Sequence, residues 1–409
     1  MKFNYILLFV VLGTISCSTK EIKDTATTHK DTISVPSIDS VKLAVPPQNV
    51  NFLPSVHRQY DDFARFIAGY KQLDSSSLST VESYPQWQKF SKRLDSNWAV
   101  LEKNRLSKMR TWSETEIRSA HEGKRDLLYT FSGPDMLNAF TLFPTATNYT
   151  LIALEPVGQV KDFSHTKPEN IEQYLGSIDE ALSDIFEKSY FITRKMLSHL
   201  QPNKANGTLP LICLFLERTG NKIIDIKRIK IDSTGTANEY DWDLKTKASG
   251  VKVYFVNEKE PQRLRSVTYI KADMENKALD KNKAMTNWLN KFSDVDTYIK
   301  SASYILHYKD FSMIRNVILN ASVHILQDDT GIAYKFYDKS TWTCKLYGKY
   351  VKPVDDFEGV DQLDLKKAYS DSTKIQKLPF SLGYHWGTND QNLMFSVKKS
   401  IGKTKNSNE

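Results

Sequence analysis

The spacing of apolar residues changes after residue 125, and this change constrains the fold more than any other feature of the chain. Before it, two stripes recur at helical spacing: Phe63, Phe66, Ile67 and Tyr70, then Trp87, Phe90, Leu94, Trp98 and Leu101. After it, strand-length apolar runs alternate with helical stretches. This order predicts an α+β fold that begins with helices. Aromatic stripes of this kind can line a sugar-binding groove, but core packing explains them better.

Residues 127–154 have the pattern of a strand–helix–strand unit. The predicted strands are 127–131 and 149–154, and the helical turns between them are 136–143. Such a unit places its two strands in parallel. A long central helix is predicted to follow at 168–200, because Pro168 suits a first turn and Pro202 lies beyond the end.

The remaining segments predict further hairpins and helices. Residues 209–217 are apolar throughout and predict a strand covered on both faces. The predictions along the rest of the chain are a partner strand at 222–232 with a bulge at Lys227-Arg228, strands at 251–256 and 264–272, helices at 278–292, 294–307 and 311–320, and a hairpin of 323–326 with 332–336. Ser113 to Glu116 predict a capping box for a short helix that ends near Gly123. The sheet is expected to be mixed or mainly antiparallel, in one domain over 53–397 whose residues 53–125 can form a helical subdomain.

The first residues have the pattern of an export signal. A short apolar run at 5–12 follows Lys2, and it is too short to cross a hydrocarbon layer of roughly 30 Å. Residues 13–17 (Gly-Thr-Ile-Ser-Cys) resemble the lipobox of bacterial lipoproteins, with Thr14 where that family usually has Leu. The resemblance implies a signal peptide at 1–16, acylation of Cys17 and, because Ser18 follows, an outer-membrane location.

The segment after Cys17 predicts a flexible tether over 17–52. Residues 18–51 contain no aromatic residue and are rich in Ser and Thr, so they cannot bury enough apolar surface to fold. The 56 Lys and Arg residues exceed the 48 Asp and Glu residues, for a net charge of +8. Four Lys against one Glu lie in a predicted disordered tail at 398–409, so much of this charge lies outside the folded domain.

The basic residues near the N-terminal helices do not predict nucleic-acid binding. Arg93, Lys103, Arg105, Lys108 and Arg110 alternate with acidic residues, which is typical of a solvated helix face. The predicted location in the cell envelope also favours the membrane, an envelope protein or a glycan as partner. Anionic lipopolysaccharide and phospholipid head groups are natural counterparts of a basic surface.

Two turns carry residue types that can do chemistry. Asp329-Thr330-Gly331 matches the core of aspartic proteases, but those enzymes need two such loops, and Asp and Gly also suit a tight hairpin loop. In the turn 132–135, free backbone N–H groups could hold an anion. Capping explains the turn better, with Ser132 as N-cap and Asp135 complementing the helix dipole, and this turn is the expected wall of a pocket.

No metal or cofactor motif is present in the sequence. The eight His residues are widely spaced, no Cys pair has metal-ligand spacing, and there is no Gly-X-Ser-X-Gly elbow or phosphate-binding loop. Cys213 is expected in the core and Cys344 in a strand, and whether the two pair is left open. The sequence therefore predicts neither a metal nor a cofactor, and it identifies no catalytic residue.

Four segments resemble an uncharacterised family of bacterial exported proteins. They are Phe-Ser-Gly-Pro-Asp at 131–135, Leu-Glu-Pro-Val-Gly at 154–158, Leu-Gln-Asp-Asp-Thr-Gly at 326–331 and Leu-Pro-Phe-Ser-Leu-Gly-Tyr at 378–384. Their spread over most of the mature chain implies a single folded unit. The resemblance implies no activity and no site.

Two functional hypotheses remain. The first is a non-catalytic binding or assembly module, held at the membrane and directed at a protein or a glycan. The alternative is a hydrolase or transferase acting on envelope material. The polar residues that turns and strand ends could bring into one pocket are Ser132, Gly133, Asp135, Glu155, His307, Asp328, Asp329 and His385.

Overall fold

The computed structural model describes residues 55–202, 204–242, 248–370 and 375–399. The predicted signal peptide, Cys17, the tether at 17–52 and residues 400–409 of the predicted tail lie outside the described residues. Lys398, which the sequence assigned to that tail, belongs to the last strand described below.

The described residues form twelve α-helices. The α-helices are α1 (Arg58–Ile67), α2 (Pro85–Leu101), α3 (Ser107–Glu116), α4 (Arg118–Gly123), α5 (Met136–Leu142), α6 (Pro168–Lys188), α7 (Thr193–His199), α8 (Leu209–Arg218), α9 (Asn276–Lys281), α10 (Lys283–Leu289), α11 (Ser312–Ala321) and α12 (Leu363–Ala368). A π-helical turn, Glu102–Leu106, joins α2 to α3.

The strands form one mixed sheet. They are β1 (Leu127–Thr130), β2 (Asn148–Ala153), β3 (Asn221–Ile231), β4 (Ala237–Tyr240), β5 (Gly250–Asn257), β6 (Glu260–Lys271), β7 (Val295–Ile299), β8 (Ser322–Gln327), β9 (Trp342–Gly348) and β10 (Asn392–Lys398). Their order is β4-β3-β5-β6-β2-β1-β7-β8-β10-β9. The predicted α+β fold with N-terminal helices and a mixed sheet is confirmed.

The five central strands, β6, β2, β1, β7 and β8, are mutually parallel. The predicted β1–α5–β2 unit is present, with Leu127 opposite Tyr149. The chain proceeds from β1 to β2 on one side, whereas β7 pairs with β1 on the other side. Between β1 and β7 the order therefore reverses, and in parallel sheets ligands bind at the carboxyl ends of the strands beside such a reversal.

Helices cover both faces of the central strands. Tyr129 and Leu151 belong to the larger core cluster, which contains α1, α2, α6 and α8. Their neighbours Leu128 and Ile152 belong to the second cluster, with α9, α10 and α11. Because successive strand residues point to opposite faces, this alternation shows a three-layer arrangement.

The strand predicted at 209–217 is wrong, because these residues form helix α8. All ten residues of α8 are buried, including Glu217 and Arg218. A helix buried on every side has no polar stripe, so its apolar run looks like that of a buried strand. The partner segment is a strand, β3, but it pairs with β4 and β5.

Two predictions near the second half of the sheet are also wrong. The helix predicted at 294–307 contains β7, whose Val, Thr and Ile residues favour a strand and are buried throughout. The predicted hairpin of 323–326 with 332–336 does not form, because β8 pairs with β7 and β10 instead. Residues Tyr334–Phe336 form a single 3-10 turn.

Smaller corrections concern where elements begin, bend and end. The predicted helix 168–200 is interrupted at Ser189, whose φ of 68° ends α6. Ser113 opens no helix, since it lies inside α3 and donates to the Arg110 carbonyl. The irregularity of β3 lies between Ile223 and Asp225, not at Lys227-Arg228, because the Ile224 carbonyl accepts a hydrogen bond from His57.

Candidate functional site

Polar residues from four loops meet at the carboxyl ends of the parallel strands. Asp135 follows β1, Glu155 follows β2, Lys300 directly follows β7, and Asp328 and Asp329 directly follow β8. His385 reaches the same edge from a 3-10 turn, Gly383–His385. We call these six residues the carboxyl-edge cluster. All six are buried.

Asp135 and Lys300 form a fully buried ion pair. The Lys300 Nζ lies 2.6 Å from Oδ2 of Asp135, and their side chains are 2% and 1% exposed. Asp135 also accepts from the Tyr129 hydroxyl at 3.0 Å and from the Asn138 backbone N–H at 3.0 Å. Asp135 is therefore the N-cap of α5, and the prediction that Ser132 fills this position is wrong. Ser132 instead donates to the Gly133 carbonyl.

Lys300 was missed by sequence reasoning, because β7 was predicted as a helix and Lys300 therefore did not mark a strand end. Its ammonium group also donates to the Ser189 carbonyl, at the end of α6. Burial lowers the pKa of Lys300, and the charge of Asp135 opposes this effect. The pair thus links the loop after β1, the loop after β7 and the end of α6.

Asp328 is held by the backbone of two loops. Its carboxylate accepts from the Ser301 N–H at 2.9 Å and the Thr330 N–H at 3.1 Å. Burial, together with the charge of Asp329, raises the pKa of Asp328 to about 6. A Cβ atom at Gly383 would lie 2.6 Å from Oδ2 of Asp328, so the chain passes directly over this carboxylate.

Asp329 and His385 form a second buried pair. The His385 Nε2 is 3.1 Å from Oδ1 of Asp329, and its Nδ1 is 3.1 Å from Oδ1 of Asp390. Asp329 also accepts from the Tyr304 hydroxyl at 2.5 Å and the Asn392 side-chain amide at 2.9 Å. Burial lowers the pKa of His385, but the close contact with Asp329 and the charges of Asp329 and Asp390 outweigh it and raise this pKa to about 9.

Glu155, after β2, and His307, after β7, are two further residues of the predicted pocket. The Oε1 of Glu155 lies 3.9 Å from where a Cβ of Gly133 would be. Its Oε2 has no hydrogen-bond partner among the described residues, and burial raises its pKa. His307 is half-buried against the Tyr304 ring, and burial lowers its pKa to about 4. The structure thus brings the predicted pocket residues to one edge, in a closed arrangement.

An open cleft lies beside this edge, between α2 and α6. Its volume is about 580 Å³, and its lining includes Asn97, Arg105, Ser183, Phe186 and Trp386. Sequence reasoning missed this cleft, because it assigned residues 93–110 to a solvated face. Arg105 contradicts that assignment, since it is 7% exposed. It lies in the π-helical turn, whose wider spacing redirects side chains relative to an α-helix.

The structure also bears on metal binding, on the two described cysteines and on membrane spans. Within the described part of the chain, no group of three His, Cys, Asp or Glu side chains could hold a metal ion. Cys213 and Cys344 are free thiols, one buried in α8 and one half-buried in β9. None of the described helices has both the length and the apolar character needed to cross a membrane.

Comparisons of the chain with protein-family models, with curated proteins and with solved structures found no match.

Proposed function

We propose that the protein is a binding module of the bacterial cell envelope, anchored through acyl chains on Cys17, that holds a glycan in the cleft between α2 and α6. The cleft itself carries this proposal. Its volume of about 580 Å³ falls within the range of ligand sites, which is about 300–1,000 Å³. A second open cleft, of about 450 Å³, lies beside α11, and the described residues that line it include neither Trp nor Arg.

The chemistry of the lining supports a sugar as the ligand. Phe186 and Trp386 offer aromatic surface to the apolar face of a sugar ring, and Trp combines such surface with a polar N–H. Asn97, Asn104 and Ser183 add side-chain donors and acceptors that can bind hydroxyl groups. Ligand sites usually combine apolar surface with polar groups that fix the orientation of the ligand.

Trp386→Ala tests the proposal. Calorimetric titration of the mature protein with peptidoglycan fragments and lipopolysaccharide core oligosaccharides should show binding that weakens at least tenfold in the variant. Tyr240→Ala is the control, because Tyr240 is an exposed aromatic residue on β4, outside the cleft. The thermal unfolding temperature of each variant checks the fold. If no glycan binds, and crosslinking in intact membranes captures a protein, the glycan proposal is wrong and the partner is a protein.

A second candidate function is hydrolysis or group transfer on envelope material at the carboxyl-edge cluster. It is favoured by the pKa of Asp328, raised by burial to about 6, beside the Asp329–His385 pair. An acid or base with a pKa near neutrality can exchange protons with a substrate. Because Gly383 covers Asp328, this function requires the segment at 381–385 to move. Mass spectrometry of envelope glycans after incubation with wild-type protein and Asp328→Asn tests it, and unchanged glycans in both samples would exclude it.

A further inference from the structure

We infer that the glycan in the α2–α6 cleft is acidic and that Arg105 binds its carboxylate or phosphate group. This inference rests on the proposed function, which requires only that some glycan binds. Arg105 lines the cleft and is more than nine-tenths buried. One of its terminal nitrogens donates to the Ile185 carbonyl of α6, while its Nε has no partner among the described residues.

The charge of Arg105 has no carboxylate of its own. Arg93 forms an ion pair with Asp179, and Lys300 forms one with Asp135. Among the described residues, no carboxylate lies within 4.0 Å of the Arg105 guanidinium group. The carboxylate that acts on it electrostatically is Asp135, and Asp135 already binds Lys300 at 2.6 Å. Two buried cations therefore share one buried anion. Burying an unpaired charge is costly, and an anion arriving in the cleft would offset that cost.

Contacts with α6 do not remove this surplus charge. The Ile185 carbonyl is a neutral acceptor near the C-terminal end of α6, where the helix dipole favours cations but only partly offsets a full charge. Burial lowers the pKa of Arg105 to about 10, so the guanidinium group remains protonated at neutral pH. The site is thus a fixed positive charge at the wall of an open cleft.

The rest of the cleft defines what carries the anion. Arg93 and Asp179 neutralise each other in an ion pair at the rim, and Glu187 is exposed there. The neutral groups Asn104 and Ser183 and the aromatic residue Trp386 lie in the same lining. An acidic sugar, whose ring contacts aromatic and amide groups while its anion meets a guanidinium, fits this combination. Guanidinium groups bind carboxylate and phosphate through paired hydrogen bonds.

The test compares acidic and neutral glycans of equal length on the mature protein. Calorimetric titration uses trigalacturonate against galactotriose, and lipopolysaccharide core oligosaccharide before and after phosphatase treatment. We expect at least tenfold tighter binding of the acidic member of one pair, which also tells carboxylate from phosphate. Arg105→Gln should remove that preference, whereas Arg118→Gln, at an exposed position of α4 outside the cleft, should keep it.

The outcomes separate this inference from the proposed function. Equal affinity for acidic and neutral glycans would overturn the inference and leave the proposed function standing, while absence of binding by all four probes would overturn both. If Arg105→Gln does not fold, the salt dependence of glycan binding by the wild-type protein tests the charge contact instead. Raising NaCl from 50 to about 500 mM should weaken only the acidic glycan several-fold, since screening acts on charge pairs. If added salt weakened the binding of both glycans equally, or of neither glycan, the proposed charge contact would be contradicted.

Discussion

The ion pair of Asp135 and Lys300 joins two loops of the carboxyl edge, and both of its side chains are almost completely buried. Lys300→Met would leave the Asp135 carboxylate buried without the cation bonded to it. Removing one partner of such a pair costs about 3–5 kcal/mol, so urea denaturation should show a loss of this size in the free energy of unfolding. The double variant Asp135→Asn/Lys300→Met should recover part of it, because the carboxylate that Lys300→Met leaves without its bonded cation is then absent.

The matched control for this pair is Lys283→Met. Lys283 lies 3.8 Å from Asp280, with side chains 72% and 64% exposed, so solvent screens this pair and its loss should leave stability unchanged. If Lys300→Met were no less stable than Lys283→Met, the buried pair would contribute nothing to the fold.

Glu217 should make the stability depend on pH. Burial in α8, together with the charge of Asp61, raises its pKa to about 8, whereas an unfolded Glu titrates near ~4.3. Because the folded pKa is the higher one, the stability that Glu217 contributes is complete below about pH 4 and is lost as pH rises through 8. Glu217→Gln stays neutral, so it should gain on the wild type by a few kcal/mol between pH 5 and 9.

Denaturation at pH 5, 7 and 9 measures this difference. Glu114→Gln serves as the control, because Glu114 is exposed on α3 and is not among the charges that act on Glu217, so its removal should leave the pH dependence of the wild type intact. A constant gap between Glu217→Gln and the wild type across this range would show that Glu217 ionises normally.

Sequence reasoning located some site residues and missed others for a definable reason. Asp135, Glu155 and Asp328 could be located because each follows a strand with a clear apolar run. Lys300 and Arg105 could not, since their positions depend on a strand predicted as a helix and on a π-helical turn. The closure of the site could not be predicted either, because Gly383 meets Asp328 across a long sequence separation.

At the scale of elements, a close crossing of two loops explains a pair of glycines. Gly158, after β2, and Gly207, before α8, have φ values of 84° and 93°. A Cβ on Gly158 would lie 2.1 Å from the Asn206 carbonyl oxygen, and Leu209 donates to the Val157 carbonyl across the same crossing. The crossing therefore fixes the start of α8 against the carboxyl end of β2.

Two glycine substitutions should change stability in opposite directions. Gly158→Ala should lower the free energy of unfolding by more than about 1 kcal/mol, because it adds both a clash and an unfavourable φ. Gly176→Ala should raise it by about 0.5–1 kcal/mol, since Gly176 lies inside α6 with no atom within 4 Å of the added Cβ. Thermal and urea denaturation measure both. A destabilised Gly176→Ala would show that α6 needs this glycine for another reason.

Helices and strands were predictable where the apolar residues of a segment followed a single helical or strand spacing. The unit β1–α5–β2 and the pair β5–β6 agree with prediction, because short runs there are bounded by clear turns. Helix α8 and strand β7 do not, because both are buried on every side and therefore lack the exposed polar face that reveals the period. Burial of this kind is set by the whole molecule and is invisible in a short window of sequence.

At the scale of the whole molecule, the proposed acylation of Cys17 can be tested directly. In cells that express the full chain and are labelled with an alkynyl palmitate, Cys17→Ser should abolish the label on the protein. Cys213→Ser and Cys344→Ser are matched controls and should keep it, because burial raises the thiol pKa of both residues and makes them poor nucleophiles. Undiminished label on Cys17→Ser would contradict the proposed anchor.

The order of the strands has a consequence for synthesis. Strand β10 lies between β8 and β9, and in the described sheet β9 pairs with no other strand. Asn392, which binds Asp329, also lies in β10. A nascent chain that has left the ribosome only as far as β9 therefore cannot complete this side of the sheet. For a protein proposed to be exported, such late closure would delay completion of the sheet until β10 has been synthesised.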